Sequence, residues 1–269
     1  MAFALGPRAV SAGYRLAAFD HIGSTNAEAM SRARDGERGP TWFVTSEQTA
    51  GRGRRHRPWI APRGNLASSI LEIIDGSPSV AATLGFAAGL ALDAALQKVS
   101  VEAALRSAGS EEMRFSLKWP NDVLAGQAKL AGILLEAEAV GDQLAVVVGI
   151  GTNVIAAPEG TPTPATSLAA LGIHVGAEEL FAELSDAWVE FRGLWDNGRG
   201  FGEIRRRWLE RATGLEQPVA VHSGGRAVEG IFDGIDETGC MIIRTSAGGR
   251  IPISAGDVYF GSAASAGAA

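Results

Sequence analysis

The sequence predicts an α+β protein: a mixed or antiparallel sheet with flanking helices, followed by a small separate β unit. Three observations carry this expectation. β-branched and apolar runs are interleaved with helical periodicities as far as residue 212. Two of those runs, 129–139 and 143–154, meet at Gly141-Asp142, a hairpin signature. After Gly214 the chain changes to short strands separated by glycine turns, the pattern of a barrel of about five strands.

In chain order, Thr25-Asn26-Ala27-Glu28 has capping-box spacing and opens a helix to about Ala33. Residues 41–46 (TWFVTS) are β-branched and aromatic, hence a strand. A second strand covers 65–74, between Pro62-Arg63-Gly64 and Asp75-Gly76. A helix follows over 80–98, then a strand over 115–119 that Pro120 stops. Pro158, Pro162 and Pro164 mark a loop. Leu180, Phe181, Leu184, Trp188, Phe191 and Leu194 recur at helical spacing within 177–195, and a charged helix covers 201–212. Strands are expected at 218–222, 226–233, 240–245 and 250–253, with turns at Ser223-Gly224-Gly225 and Ala247-Gly248-Gly249. The expected units are residues 1–213, a small β domain over 214–260, and a frayed tail over 261–269 (GSAASAGAA).

Composition narrows the function. A net charge of -6 and a pI near 5.3 argue against non-specific nucleic-acid binding, which needs a broad basic surface. The single cysteine, Cys240, excludes an internal disulfide and is expected to be a buried strand thiol beside Met241, Ile242 and Ile243. Pro7 and Arg8 break the apolar start of the chain before a signal-peptide core forms. The Ala/Gly-rich stretch 80–96 contains Asp93 and reads as a core helix rather than a membrane span. A soluble, cytoplasmic protein is expected. His21, His56, His174 and His222 are scattered without ligand spacing, so no protein metal site is assigned. With no GxSxG element, positioning and charge stabilisation remain as the catalytic resources.

The chemistry concentrates in a few segments. Residues 51–57 (GRGRRHR) put two glycines and four arginines into an acidic chain. Glycine permits close backbone approach, and arginine supplies planar cationic forks for phosphate or carboxylate. The composition fits either a solvated basic loop or a loop that closes over an anion. It is not a Walker loop, because no Gly-Lys-Ser/Thr follows. Residues 149–153 (GIGTN) lack the third glycine of a dinucleotide fingerprint and lead into prolines, so a strand end offering Asn153 to a ligand competes with a tight bend. Lys118-Trp119-Pro120-Asn121-Asp122 fits a reactive corner or a surface Lys–Asp pair. Lys129, before an apolar run, and Ser24, Thr25 and Asn26 have flank-residue and helix-cap readings beside functional ones.

Taken together and in this order, Ser24-Thr25-Asn26, residues 48–55 (QTAGRGRR), Trp59, Gly64-Asn65-Leu66, residues 118–122 (KWPND), residues 129–134 (KLAGIL) and residues 149–153 resemble the biotin protein ligase family. The likeness runs through about the first 154 residues, and the strands after Gly214 resemble the family's SH3-like C-terminal domain. The resemblance implies a class II synthetase-like catalytic domain that joins biotin to ATP as biotinyl-5′-AMP. It then transfers biotin to a lysine of a biotin carboxyl carrier domain, with Mg²⁺ carried by ATP. It further implies that Ser24, Thr25, Asn26, Gln48, Arg52, Gly53, Arg54, Lys129 and Gly132 surround biotin. Arg52, Arg54, Arg55, Trp59, Lys118, Asn121, Lys129 and Asn153 are implied at the nucleotide, Trp59 stacking on adenine and Asn153 bonding to it. Lys129, Arg54, Lys118 and Asp122 are the implied catalytic set, with Lys129 the main cation and Asp122 beside the incoming amine.

Two departures stand out. His56 follows GRGRR where family members often have glycine, which bears on how freely the far end of that loop moves. Only about 20 residues precede the first motif, too few for a helix-turn-helix, so a short ligase-only type that binds no DNA is expected. Lipoate ligase or octanoyltransferase chemistry is one alternative, and a non-catalytic biotinyl-AMP-binding regulator is another. A homodimer is compatible with the pattern.

Overall fold

Seven strands form the main sheet, and the helices pack on it unequally; that imbalance creates the site. The computed structural model describes residues 2–107, 113–161, 163–223 and 226–260. The elements are α1 (Pro7–Ser11), β1 (Arg15–Phe19), α2 (Thr25–Arg34), β2 (Thr41–Thr45), β3 (Leu66–Ile74), α3 (Pro78–Ser107), β4 (Phe115–Lys118), β5 (Asp122–Ala125), β6 (Ala128–Val140), β7 (Gln143–Thr152), α4 (Ala177–Trp195), α5 (Phe201–Leu209), β8 (Pro218–Ser223), β9 (Arg226–Ile235), β10 (Met241–Arg244), β11 (Arg250–Ile253) and β12 (Asp257–Phe260). The main sheet runs β1-β2-β3-β7-β6-β5-β4. Only β1 and β2 pair in parallel, so the sheet is mixed.

Strand alternation sends Leu66, Ile70 and Ile74 of β3 and Val146, Val148 and Ile150 of β7 to one face, where they join α3, α4 and α5 in the principal core. Among the described residues, the short α2 is the helix that packs on the opposite face. There Ala29, Met30 and Ala33 pack on Phe43, Leu71, Ala145 and Val147. Beyond α2 this face is left to a pocket. Glu72 is an exception on the helical side: its buried carboxylate accepts from Trp188 Nε1 at 3.0 Å and Arg192 Nε at 3.2 Å. Burial pushes this carboxyl up, against the opposing pull of Arg192.

Several expectations shift. The hairpin of β6 and β7 forms as expected, with Val140 opposite Gln143. α3 is longer than 80–98, because Val99 and Ala103 extend its buried stripe. It is long and apolar enough to cross a membrane by composition, yet most of its apolar stretch is buried in the fold. β1 and α1 were not anticipated: the sequence RLAAF has little intrinsic strand character and is strand through pairing with β2. β5 was missed as well, being four residues long and set by pairing on both sides. The charged helix ends at Leu209 rather than 212.

The helix cap is Ser24, not Thr25. The Ser24 hydroxyl accepts from Ala27 N at 3.3 Å, while Glu28 turns to Arg32 instead of back to the cap.

The second sheet is antiparallel, in order β11-β10-β9-β8-β12, and includes β12, which patterning had not separated. Cys240 is partly exposed and precedes β10 rather than lying buried within it; its sulfur is 3.3 Å from Thr238 Oγ1. Trp119 Nε1 donates to Gly239 O at 3.1 Å, tying the β9–β10 turn of the second sheet to the first, and Leu117 pairs with Arg211 and Thr213 of the segment that leads into β8. The expected 261–269 tail, Pro162 and the glycines of the 223–225 turn lie outside the described residues.

Candidate active site

The pocket encloses about 510 Å³, within the range of about 300–1,000 Å³ usual for small-molecule sites. Its floor is the uncovered face of β6 and β7, where three positions are glycine. A Cβ on Gly149 would overlap the Asn26 amide. One on Gly151 would come within 2.5 Å of the Trp59 ring, and one on Gly132 would lie 3.2 Å from that ring and 3.3 Å from Lys129 Nζ. The absent side chains let an indole, an ammonium and an amide lie directly on the sheet.

One wall is a buried polar cluster. The Ser69 hydroxyl, from β3, lies 2.6 Å from Asn26 Oδ1 and 2.7 Å from Thr25 Oγ1. Asn26 Nδ2 donates to Glu136 Oε2 at 2.8 Å, which fixes which way its amide faces. Thr25 N donates to Gln48 Oε1 at 2.9 Å, leaving the Gln48 amino group as the available donor. Ser24, Thr25, Asn26 and Gln48 thus converge at one end of the pocket.

The other wall is cationic. Lys129 Nζ pairs with Asp122 at 2.6 Å and sits 5.5 Å from the Trp59 ring centroid. Arg54 Nη1 donates to Asn121 Oδ1 at 3.1 Å, while Asn121 Nδ2 donates to Ile133 O at 2.7 Å. Burial lowers the Arg54 pKa without discharging it. Burial also lowers that of Lys118, with Asp122 opposing and Lys129 reinforcing the shift. Lys118 lies 5.9 Å from the Phe260 ring centroid. Arg55 (φ 55) and Arg57 both donate to Asp257 Oδ2, at 2.6 and 2.7 Å, so β12 of the second sheet closes the pocket's edge. Such a wall suits a ligand carrying several negative charges. Among the described residues, no cluster of three or more His, Cys, Asp or Glu side chains is placed to hold a metal.

The sequence profile of the biotin/lipoate A/B protein ligase family matches residues 22–153, and that of the biotin protein ligase C-terminal domain matches 214–261. Over 245 residues the chain is 40% identical to the biotin–[acetyl-CoA-carboxylase] ligase of Paracoccus denitrificans, covering 88% of this chain and 97% of that one. The chain belongs to the biotin protein ligase family. A second family member, the biotin–[acetyl-CoA-carboxylase] ligase of Mycobacterium tuberculosis, is 36% identical over 88% of this chain and 85% of its own. The biotin protein ligase of Aquifex aeolicus, solved in complex with biotin and ATP, superposes with a TM-score of 0.73 at 25% identity, covering 92% of this chain and 99% of that one.

In this biotin protein ligase fold, every residue expected at the site lines the one pocket. Several of them form ion pairs within the protein. Asp122 is paired to Lys129. Arg52 lies 3.5 Å from Glu136, and Arg55 is held by Asp257. Residues 51–57 are folded back on themselves: Trp59 N donates to Gly51 O at 2.9 Å and Gly53 N to Arg57 O at 2.8 Å. Ser69, Glu136 and Asp257 were not foreseen. Ser68-Ser69 inside the apolar run of β3 was the available signal for the first, whereas the role of Asp257 depends on how the two sheets meet.

Proposed function

We propose that the chain attaches biotin to a lysine of a biotin carboxyl carrier domain in two ATP-driven steps. The observation that supports it best is one pocket with a polar end lined by the uncharged Ser24, Thr25, Asn26 and Gln48 and a cationic end, joined by Lys129 over a glycine floor. The polar end suits biotin's uncharged ring system, which those four side chains hold. The cationic end suits a triphosphate entering as its Mg²⁺ complex.

In the first step a biotin carboxylate oxygen attacks the α-phosphorus of ATP. A C–O–P link forms, the bond to the β-phosphate breaks, and pyrophosphate leaves with the electron pair. Lys129 neutralises charge on the carboxylate and α-phosphate, and Arg54 and Lys118 neutralise the phosphates. In the second step the acceptor amine attacks the acyl carbon, AMP departs, and the amine loses a proton. Asp122 holds Lys129 in place, and when Lys129 turns to the phosphate its freed oxygen receives that proton. Trp59 and Asn153 serve the adenine. We assign this chemistry to residues 1–213, with 214–260 as the small β domain that completes the pocket, and place the protein in the cytoplasm with its carboxylase acceptor.

The test is the intact mass of a biotin carboxyl carrier domain incubated with the protein, Mg-ATP and equimolar biotin and lipoate. One biotinyl addition that requires ATP is expected. Lipoyl addition, or none, would overturn the proposal.

A further inference from the structure

The Gly64-Asn65 pair before β3 has a role that the pocket lining does not reveal. Asn65 is 1% exposed, and its amide is spent on one short segment. Oδ1 accepts from Val154 N at 3.0 Å, Ile155 N at 2.9 Å and Ala156 N at 3.2 Å, and Nδ2 donates to Ala156 O at 2.7 Å. Gly64 (φ +97) packs under Ile155; a Cβ there would lie 2.6 Å from Ile155 Cδ1. Leu66 pairs with Thr152, so Asn65 grips the backbone where β7 ends and Asn153 begins.

Asn153 is likewise 1% exposed. Its backbone N donates to Leu130 O at 2.9 Å, its backbone O accepts from Leu168 N at 3.0 Å, and Nδ2 donates to Thr166 O at 3.0 Å. Among the described residues Oδ1 finds no hydrogen-bond partner, and Asn153 lines the pocket. Stranding a buried amide oxygen is costly, so it persists only where its surroundings hold it. Oδ1 can only accept. It therefore favours a base edge that presents an amino group over one that presents an oxo group.

We infer that Asn65 is a positioning residue for nucleotide-base selection: by gripping residues 154–156 it keeps the Asn153 acceptor aimed at a 6-amino purine and away from 6-oxo purines. This rests on the proposal that the pocket takes a nucleoside triphosphate. Asn65 itself does not line the pocket.

The experiment is biotin-dependent pyrophosphate exchange with ATP and with inosine triphosphate. Two variants are used. Asn65→Asp keeps an acceptor for the three N–H groups but sets an oxygen against Ala156 O. Asn65→Ser is smaller and uncharged. Losing one such bond predicts an ATP KM raised about tenfold, with the biotin KM within about twofold and the ATP-over-ITP preference reduced. In an Asn153→Ala background the same Asn65 change should add less than about twofold, because the two act through one oxygen. Equal rises in both KM values, an unchanged ATP-over-ITP ratio, or full additivity with Asn153→Ala would overturn the inference. Exchange by the wild-type protein is the control for the functional proposal. Its absence would defeat that proposal, whereas wild-type exchange with an indifferent Asn65 defeats only this inference.

Discussion

The two ends of the pocket are built on opposite principles. At the α2 end, Ser24, Thr25, Asn26 and Ser69 are at most 8% exposed, and the Ser69 hydroxyl bonds to both Thr25 and Asn26. At the arginine-loop end, the Arg55 and Arg57 side chains are 46% and 63% exposed and share one carboxylate, Asp257. The buried cluster is preorganised: its donors and acceptors already face fixed directions, and a displacement there leaves polar groups unpaired. The exposed ion pairs are individually weak and exchangeable, which suits a wall that must release Asp257 when a more highly charged ligand arrives. Rigid recognition and adjustable charge neutralisation meet at Lys129.

That contrast ranks the predictions. Lys129→Ala deletes the cation at the junction and should reduce biotin-dependent pyrophosphate exchange by at least about 10³-fold with the fold intact. Near wild-type exchange would remove Lys129 from the mechanism. Gly149→Ala should strike the rigid end alone. Its methyl group displaces the Asn26 amide, raising the biotin KM on the order of tenfold to a hundredfold and leaving the ATP KM nearly unchanged. Equal changes in both would mean that the two ends are not separable.

A third prediction concerns pH. Burial lowers the Lys118 pKa, so as pH rises this side chain loses its charge before an ordinary lysine would. The kcat/KM for ATP should therefore fall on the alkaline side below the usual lysine range, and Lys118→Arg should move that limb upward. An unmoved limb would assign it to another group. The smallest effect belongs to the adjustable wall. Asp257→Asn frees two exposed arginines and should change the ATP KM by no more than about fivefold, a difference that added salt should largely erase. A large, salt-insensitive loss would mean that Asp257 is part of the rigid scaffold.

The rigid end was the more legible in sequence, although not in every detail. Ser24-Thr25-Asn26 announces a helix start, but Ser24 caps it, which frees Thr25 for Ser69 and Gln48. The glycines of 149–153 read as a strand end or a tight bend, and Gly132 only as part of an apolar run; all three glycines are strand positions where a side chain would collide with Asn26, Trp59 or Lys129. The hairpin at Gly141-Asp142 was plain because a long apolar run on each side fixes its register. β1 and β5 were hidden because their strand character comes from neighbours rather than composition. The Arg55 and Arg57 contacts with Asp257 span about 200 residues, and nothing local to either segment announces them.

The most direct test of the account is native mass spectrometry of the protein after incubation with biotin and Mg-ATP in the absence of any acceptor. One retained biotinyl-5′-AMP per chain is predicted for the wild type, and none for Lys129→Ala. A wild-type chain carrying only unreacted biotin or ATP, or adenylate formed equally well without Lys129, would contradict it.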